Sequence, residues 1–368
     1  MKKVILITYH AWNSRRKAGF HWLADSFHRN GWDVTFLTGA ISRISYFKND
    51  FRLKNNSKNI FNKLIEVEDR LFSYILYTKF HPVNLRSSFL NNIMKKEFRK
   101  YENIEFGQDL TKKIMEAGLF IFESFPGIMF INKFKSINPD ARYVYRVSDD
   151  IRMLNLNPIV INFENQILDK FDLISIPNES MRKNFTGHPN VQVNFHGLKK
   201  DLFAQNYENP YKNTSKPNAV FVGISLFDYD FIKKISEIFP DCNYYIIGPR
   251  KKSGFNSNVI FYGEIPFEKT VAFIKYADIG LLCYKQKKGG EVYADSLKVM
   301  QYSYCKIPVL APSFIKTQRK NVFNYYADDT KSILNAINNA LKFDKINFDN
   351  SDIISWDDLA MKLTEDKI

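Results

Sequence analysis

Residues 291–312, EVYADSLKVMQYSYCKIPVLAP, place Asp295, Ser296, Lys298 and Gln301 within seven positions ahead of an apolar run. A carboxylate, a hydroxyl, an ammonium and a carboxamide at that spacing suit an anionic ligand that also carries hydroxyl groups. If IGLLC (279–283) is a strand and SLKVMQYSYC a helix, Asp295 is the expected N-cap and residues 296–298 form the first turn. The N–H groups of that turn, the positive end of the helix dipole, the Lys298 charge and the Ser296 hydroxyl then converge on one anion, and a diphosphate fits. Gln301, one turn beyond Lys298 on the same face, is placed for a sugar or ribose hydroxyl. A capped helix with a solvated lysine has the same sequence, so the segment alone leaves both readings open.

Positioning these side chains requires strands, and the chain supplies two sets. VILIT (4–8), WDVTFLT (32–38), LFIFES (119–124), YVYRVS (143–148) and DLISI (172–176) alternate with helical stretches. AVFVG (219–223), YYIIG (244–248), VIFYG (259–263), IGLLC (279–283) and IPVLA (307–311) repeat the rhythm. Apolar, β-branched runs of this kind, without in–out alternation, predict parallel sheets covered on both faces. The expected fold class is α/β, with two Rossmann-like domains facing across a cleft that holds the ligand at the strand ends. The boundaries read as a first domain over 1–200, a polar linker over 201–217 with no periodicity, a second domain over 218–350, and a C-terminal helix over 351–368 packing back on the first domain. Residues 40–103 interrupt the first domain as a basic, aromatic insertion. Within residues 82–103, Phe89, Leu90, Ile93, Met94 and Phe98 fall at helical spacing beside Lys95, Lys96, Arg99 and Lys100. That pattern describes either a helix lying on an anionic membrane or a surface helix whose stripe faces the core.

Composition narrows the classes. The 368 residues exceed what one core supports. Cys242, Cys283 and Cys305 are odd in number and lack metal spacing, which excludes a disulfide framework and a zinc site and fits a reducing cytoplasm. MKKVILITYH is too short in apolar residues for a signal peptide, and no stretch reaches the ~18 apolar residues of a membrane span. A soluble or peripheral protein is expected. Of the net charge of +14, +12 lies in residues 1–200, which hold 31 Lys and Arg against 19 Asp and Glu. Anionic membrane and nucleic acid are both partners for such a half. No dinucleotide, P-loop or HExxH motif occurs, and His10, His21, His28, His81, His188 and His196 are scattered, as structural histidines are.

The segment around Lys298 resembles the carboxy-terminal donor site of GT-B glycosyltransferases, S-x-K-x-x-Q/E-Y followed by P-V-x-A. The resemblance then narrows to glycosyltransferase family 70, the GumK-like membrane-associated glucuronosyltransferases. FES (122–124), VYRVSDD (144–150), HG (196–197), VGISLFD (222–228), YGE (262–264), VYADS (292–296) and LKVMQY (297–302) occur in that family's order, and YHAWNSRRKAGFH (9–21) is similar to its opening loop. The resemblance implies an inverting, metal-independent transfer of a sugar, glucuronate in that family, from a UDP-sugar to a polyprenyl-diphosphate-linked oligosaccharide. It implies no cofactor, and a cytoplasmic-face, peripheral enzyme of exopolysaccharide or capsule assembly. It puts the general base on Asp149, with Glu123 supporting, and the UDP contacts on Glu264, Tyr284, Lys298 and Gln301, with Ser296 beside them. A carboxylate base suits the chemistry, because the acceptor hydroxyl must lose its proton as it attacks the anomeric carbon.

The family's SDG reads Ser148-Asp149-Asp150 here, so Asp150 competes for the role of base. Two methionines of the family pattern correspond to Ser225 and Leu297, which weakens the inference to the donor sugar. An arginine near that sugar would favour a carboxylated donor, and Arg15, Arg16 and Arg146 are the candidates. Singly, Asp149 also reads as a helix cap, Glu123 as an ion-pair partner of Arg146, and Tyr284 as a core aromatic. A different hexose donor, or a UDP-sugar epimerase or hydrolase, remain alternatives on the same fold. A nucleic-acid-binding module leaves Asp149, Lys298 and Gln301 without a role, so nucleic acid is not an expected partner.

Overall fold

Val4, Ile5, Leu6 and Ile7 are buried in a strand, β1 (Lys3–Thr8), that has parallel neighbours on both sides. The computed structural model describes residues 2–14, 17–48, 50–54, 58–211, 215–286 and 289–365; Arg15 and Arg16 lie outside them. The chain divides into two compact units, one of residues up to Phe195 together with those from Trp356 onward, the other of His196–Ser355.

The first unit is built on eight strands: β1, β2 (Asp33–Ser42), β3 (Leu64–Glu68), β4 (Leu71–Thr78), β5 (Leu119–Glu123), β6 (Arg142–Arg146), β7 (Leu173–Ile176) and β8 (Val191–Val193). They are ordered β3-β4-β2-β1-β5-β6-β7-β8, and every pair is parallel except β3–β4. All residues of β2, β5 and β7 are buried, as a sheet covered on both faces demands. Winding runs outward from β1 in both directions, so β1 and β5 flank the switch point.

The insertion does not stand apart from this sheet. LIEVE and LFSYILYT form the antiparallel pair β3–β4, and β4 extends the sheet through parallel pairing with β2. LIEVE is an edge strand with no buried residue, Val67 being 42% exposed, so it lacks the continuous apolar run that marks the inner strands. The expected long amphipathic helix is two short helices, Ser88–Ile93 and Lys95–Arg99. Only Phe98 of its apolar stripe turns into the core; Phe89, Leu90 and Ile93 are 73%, 46% and 58% exposed.

Helix Trp356–Thr364 packs on helix Gly19–Arg29: the Trp356 ring lies against Gly19, and Asp357 accepts from Ser26 and pairs with Arg29 at 3.1 Å. The second unit carries β9 (Asn218–Val222), β10 (Asn243–Ile247), β11 (Val259–Gly263), β12 (Ile279–Leu281), β13 (Val309–Pro312) and β14 (Val322–Tyr325), in the all-parallel order β11-β10-β9-β12-β13-β14. Its switch point lies between β9 and β12. Residues 201–217, read above as a linker, belong to this unit. Phe203 and Tyr211 are buried, and the Tyr211 hydroxyl donates to the Phe273 carbonyl at 2.5 Å, so two aromatic anchors override the polar sequence around them.

Helix Leu297–Tyr304 is fastened over the second switch point by Tyr302, whose hydroxyl donates to the Val220 carbonyl (2.9 Å) and whose ring occupies the space beside Gly280. A Cβ at Gly280 would meet ring atoms 2.6 Å away, so only glycine lets the helix sit this close to β12. Gly280→Ala is expected to destabilise the second unit by about 1–3 kcal/mol through overpacking, read as a lower midpoint in chemical denaturation.

Candidate functional site

Each sheet gathers its chemistry at the carboxyl ends of the strands beside its switch point. In the first unit these ends carry Thr8, Tyr9 and His10 after β1, Glu123 and Ser124 at β5, and Asp149 shortly after β6. Glu123 is buried, and one of its oxygens accepts from the Thr8 hydroxyl and from the Tyr9 N–H at 3.1 Å. Its other oxygen lies 3.7 Å from His10 Nε2. The His10 N–H in turn donates to Thr8 Oγ1 at 3.1 Å, which fixes the loop after β1. Asp149 is anchored through its own N–H, which donates to Ser124 Oγ at 3.1 Å. The residue keeps an exposed face although protein atoms crowd the rest of it. Lost hydration holds its carboxyl above the ordinary carboxylate range; the Glu123 charge raises it further, and His10 acts in the opposite sense.

Asp150 does different work. It is buried at the start of the turn Ile151–Met153, where one oxygen accepts from the Arg152 N–H (2.9 Å) and from Arg152 Nη1 (2.8 Å), and the other accepts from Asn184 Nδ2 (2.8 Å). Arg152 continues to Glu164 at 2.9 Å, and the Tyr145 hydroxyl donates to the second oxygen of that carboxylate. Both Asp150 oxygens are committed, so Asp149 is the carboxylate left facing solvent. The ion pair weighed above between Glu123 and Arg146 is not formed. Although the two residues are neighbours in register, the Arg146 guanidinium donates instead to Ser175 Oγ (2.9 Å) and the Asn194 carbonyl (2.7 Å).

In the second unit β9 and β10 are each followed by a glycine with positive φ, Gly223 (139°) and Gly248 (111°), and β11 ends on a third, Gly263 (65°). A Cβ on Gly248 would meet the Gly223 carbonyl oxygen at 2.2 Å, and one on Gly223 would meet Lys298 Nζ at 2.8 Å. The Lys298 ammonium therefore lies directly over the backbone that ends β9. It also sits 3.8 Å from the Phe221 ring centroid and 4.8 Å from that of Tyr284. These rings hold the charge in place of a carboxylate: among the described residues Lys298 has no ion pair, and lost hydration lowers its pKa to about 7. A half-buried ammonium with that pKa gains from an incoming anion, which a surface lysine already solvated does not.

The other expected residues divide. Tyr284 is buried against Lys298, and Glu264 is exposed immediately after Gly263. Gln301 is also buried, at 5% exposure, so little of it remains to meet a ligand. Ser296, not Asp295, occupies the N-cap position of helix Leu297–Tyr304; its side chain makes no cap hydrogen bond, and its buried Oγ lies beside the Tyr284 hydroxyl. Asp295 is drawn away by Arg319, 3.1 Å distant. A hydroxyl not used in capping, two residues before an ammonium without an ion pair among the described residues, is a donor set that a phosphate completes.

His10 is the residue that reading the sequence misses. As expected for scattered histidines, His21 is structural: Nδ1 accepts from the Ala18 N–H, Nε2 donates to the Ala11 carbonyl, and burial lowers its pKa to about 4. His10 differs only by standing two residues beyond a central strand. The glycines ending β9 and β10 had a visible signal, since each closes an apolar run.

Residues 6–177 match the family described as glucuronosyltransferase GumK, N-terminal domain. Over 364 residues, covering 98% of this chain and 89% of the relative, the sequence is 27% identical to the UDP-glucuronate:glycolipid 2-beta-glucuronosyltransferase of Xanthomonas campestris pv. campestris. Solved structures show the same fold at low identity. Sucrose-phosphate synthase from Thermosynechococcus elongatus aligns with a TM-score of 0.62 at 14% identity, covering 99% of this chain and 97% of that one. Anabaena HepE in complex with UDP aligns at 0.58 and 10%, covering 99% and 96%. The GT-B fold and the family resemblance expected from the sequence are both borne out.

The two adjacent aspartates are expected to separate by stability. Asp150→Ala removes a cap and leaves Arg152 and Asn184 short of an acceptor, at a cost of about 2–3 kcal/mol, whereas Asp149→Asn changes stability by less than about 0.5 kcal/mol. Denaturant titration of both variants checks this.

Proposed function

We propose, from the premise that this chain is a GumK-like glycosyltransferase of the GT-B fold, that it transfers a glucuronosyl group from UDP-glucuronate to a lipid-linked oligosaccharide. The observation that carries this reading is the pairing of chemistries: a solvent-facing Asp149 beside Glu123 and His10 in one unit, and Lys298 over the Gly223 backbone in the other.

In this mechanism Asp149 accepts the acceptor's hydroxyl proton as the oxygen attacks the anomeric carbon. The bond to the β-phosphate breaks on the opposite face, UDP departs with the electron pair, and the anomeric configuration inverts. Raising the carboxylate's pKa makes it a stronger base near neutral pH. Glu123, held by Thr8 and Tyr9, lies beside it, and His10 Nε2 faces the other Glu123 oxygen at 3.7 Å. Lys298 and the Ser296 hydroxyl meet the diphosphate; Tyr284 packs near the nucleotide and Glu264 takes ribose hydroxyls. Neutralisation of the leaving group by Lys298 requires no divalent cation in this scheme.

Among the described residues no helix is long and apolar enough to cross a membrane. The enzyme is proposed to work as a peripheral protein at the cytoplasmic face, docked on anionic lipid by the basic first unit, in exopolysaccharide or capsule assembly. Exposure of Phe89, Leu90 and Ile93 beside Lys95, Lys96 and Arg99 supports that docking, because nothing in their own unit covers them.

Radiolabel transfer to a native membrane glycolipid is expected from UDP-glucuronate and not from UDP-glucose, UDP-galactose, UDP-N-acetylglucosamine or GDP-mannose; label from another donor alone retires glucuronate. Asp149→Asn is expected to lower kcat by about 10²–10⁴-fold with UDP affinity unchanged, and near-normal turnover would remove Asp149 from the role of base.

Lys298 supplies a pH signature. Its folded pKa of about 7 lies below the unfolded value of 10.5, so the free enzyme releases this proton between the two and a bound diphosphate restores it. UDP binding at pH 8 should take up roughly one proton, and affinity should fall by up to about tenfold per pH unit above pH 7. Calorimetry in two buffers of different ionisation enthalpy reads the uptake, and Lys298→Met should abolish it.

A further inference from the structure

We propose that a groove in the first unit, walled by helices Ser88–Ile93 and Lys95–Arg99 on one side and Pro158–Ile167 on the other, holds the diphosphate end of the lipid-linked acceptor. This inference rests on the glycolipid reading above and assigns that acceptor a site. The groove encloses about 660 Å³, and its lining includes Phe89, Asn92, Lys95, Arg99, Asn162 and Gln166.

Three observations select the ligand. The first is charge. On this short stretch Lys100 is neutralised by Glu97 at 2.7 Å, whereas Lys95 and Arg99, which line the groove, have no ion pair among the described residues. The one acid in the lining, Glu102, has its carboxyl raised by burial against the opposing pull of Arg99. Two cations against one strained carboxylate leave room for an anion.

The second is the apolar edge. Phe89 lines the groove and is also 73% exposed, and Leu90 and Ile93 continue outward from it. No residue of helix Ser88–Ile93 is buried, so its apolar side chains need cover from outside the unit. Lipid with an anionic surface suits them, given Lys95, Lys96 and Arg99 beside them. The groove then opens at the level where a prenyl chain ends and its diphosphate begins.

The third is hydrogen bonding. The carboxamides of Asn92, Asn162 and Gln166 are exposed and have no side-chain partner among the described residues, which leaves them for the hydroxyls of the first sugars. Both walls are tied to the segment that bears Asp149. Asn157 caps helix Pro158–Ile167 by accepting from the Ile159 N–H (3.0 Å), and its amide donates to the Val83 carbonyl (2.9 Å) and to Asn91 Oδ1 (3.1 Å). That helix follows the Asp150 turn, so the groove is fixed to the same short stretch as the base.

The test compares the full chain with a Lys95→Gln/Arg99→Gln variant, in which only exposed side chains change. With the second unit saturated by UDP, farnesyl diphosphate in detergent micelles is expected to bind the variant about tenfold or more weakly than the wild type. Inorganic diphosphate should compete poorly, and UDP affinity should be equal in both proteins. In turnover, KM for a prenyl-diphosphate-linked acceptor should rise by a similar factor while kcat and the KM for the UDP-sugar hold, and an oligosaccharide without the diphosphate should be used equally by both. Equal binding of farnesyl diphosphate overturns the assignment, and so does competition by inorganic diphosphate as strong as that of the lipid, which would make this a free-phosphate site. If neither protein transfers sugar to any acceptor yet farnesyl diphosphate still discriminates between them, the glycolipid transfer reading fails and the groove stands.

Discussion

A parallel sheet wound outward in both directions from a central strand leaves its carboxyl edge open where the winding reverses, because the connections on either side leave in opposite directions. This constraint acts twice in one chain. It places Thr8, Tyr9 and His10 beside Glu123 at the β1–β5 junction, and Gly223 beside the segment leading to Tyr284 at the β9–β12 junction. Residues more than a hundred positions apart thus come within hydrogen-bonding distance, as the Glu123 contacts with Thr8 and Tyr9 show.

What each opening can do depends on how its charge is held. At the first, carboxylates are sorted by their partners among the described residues: Asp150 is consumed by Arg152 and Asn184, Glu123 by the loop after β1, and Asp149 is fastened through its backbone N–H. A carboxylate with an anchored backbone and an uncommitted side chain is positioned for proton transfer without being neutralised. At the second, the ammonium of Lys298 is held by the faces of Phe221 and Tyr284 and by a glycine backbone. Those contacts fix its position while leaving its charge uncompensated, which favours an anionic ligand over the empty state.

The basic character of the first half finds a structural counterpart as well. Part of the insertion joins the sheet through β3 and β4, which carry no Lys or Arg, so its basic residues lie on the segments around them. Its last part forms two short helices, Ser88–Ile93 and Lys95–Arg99, whose apolar residues point mostly outward. Charge and exposed apolar surface are then together on one edge of one unit, a combination suited to a lipid surface and to a ligand anchored in it.

Much of this was legible in the residues themselves. Ten apolar runs marked ten of the fourteen strands among the described residues, because a strand buried on both faces must be largely apolar, and the ordered motifs around Asp149 and Lys298 marked the family resemblance. The sequence also placed a lysine and a hydroxyl at the start of a helix after a strand. It did not decide which of two adjacent aspartates stays uncommitted, that Asp295 turns to Arg319 rather than capping, or that Phe89, Leu90 and Ile93 face outward. Nor did it distinguish His10 from His21. For the polar groups among these the answer lies in partners distant along the chain, such as Asn184 for Asp150 and Glu123 for His10. Local pattern determines burial along a strand covered on both faces, but whether a helix's apolar face is covered, and which polar group reaches another, only tertiary packing determines.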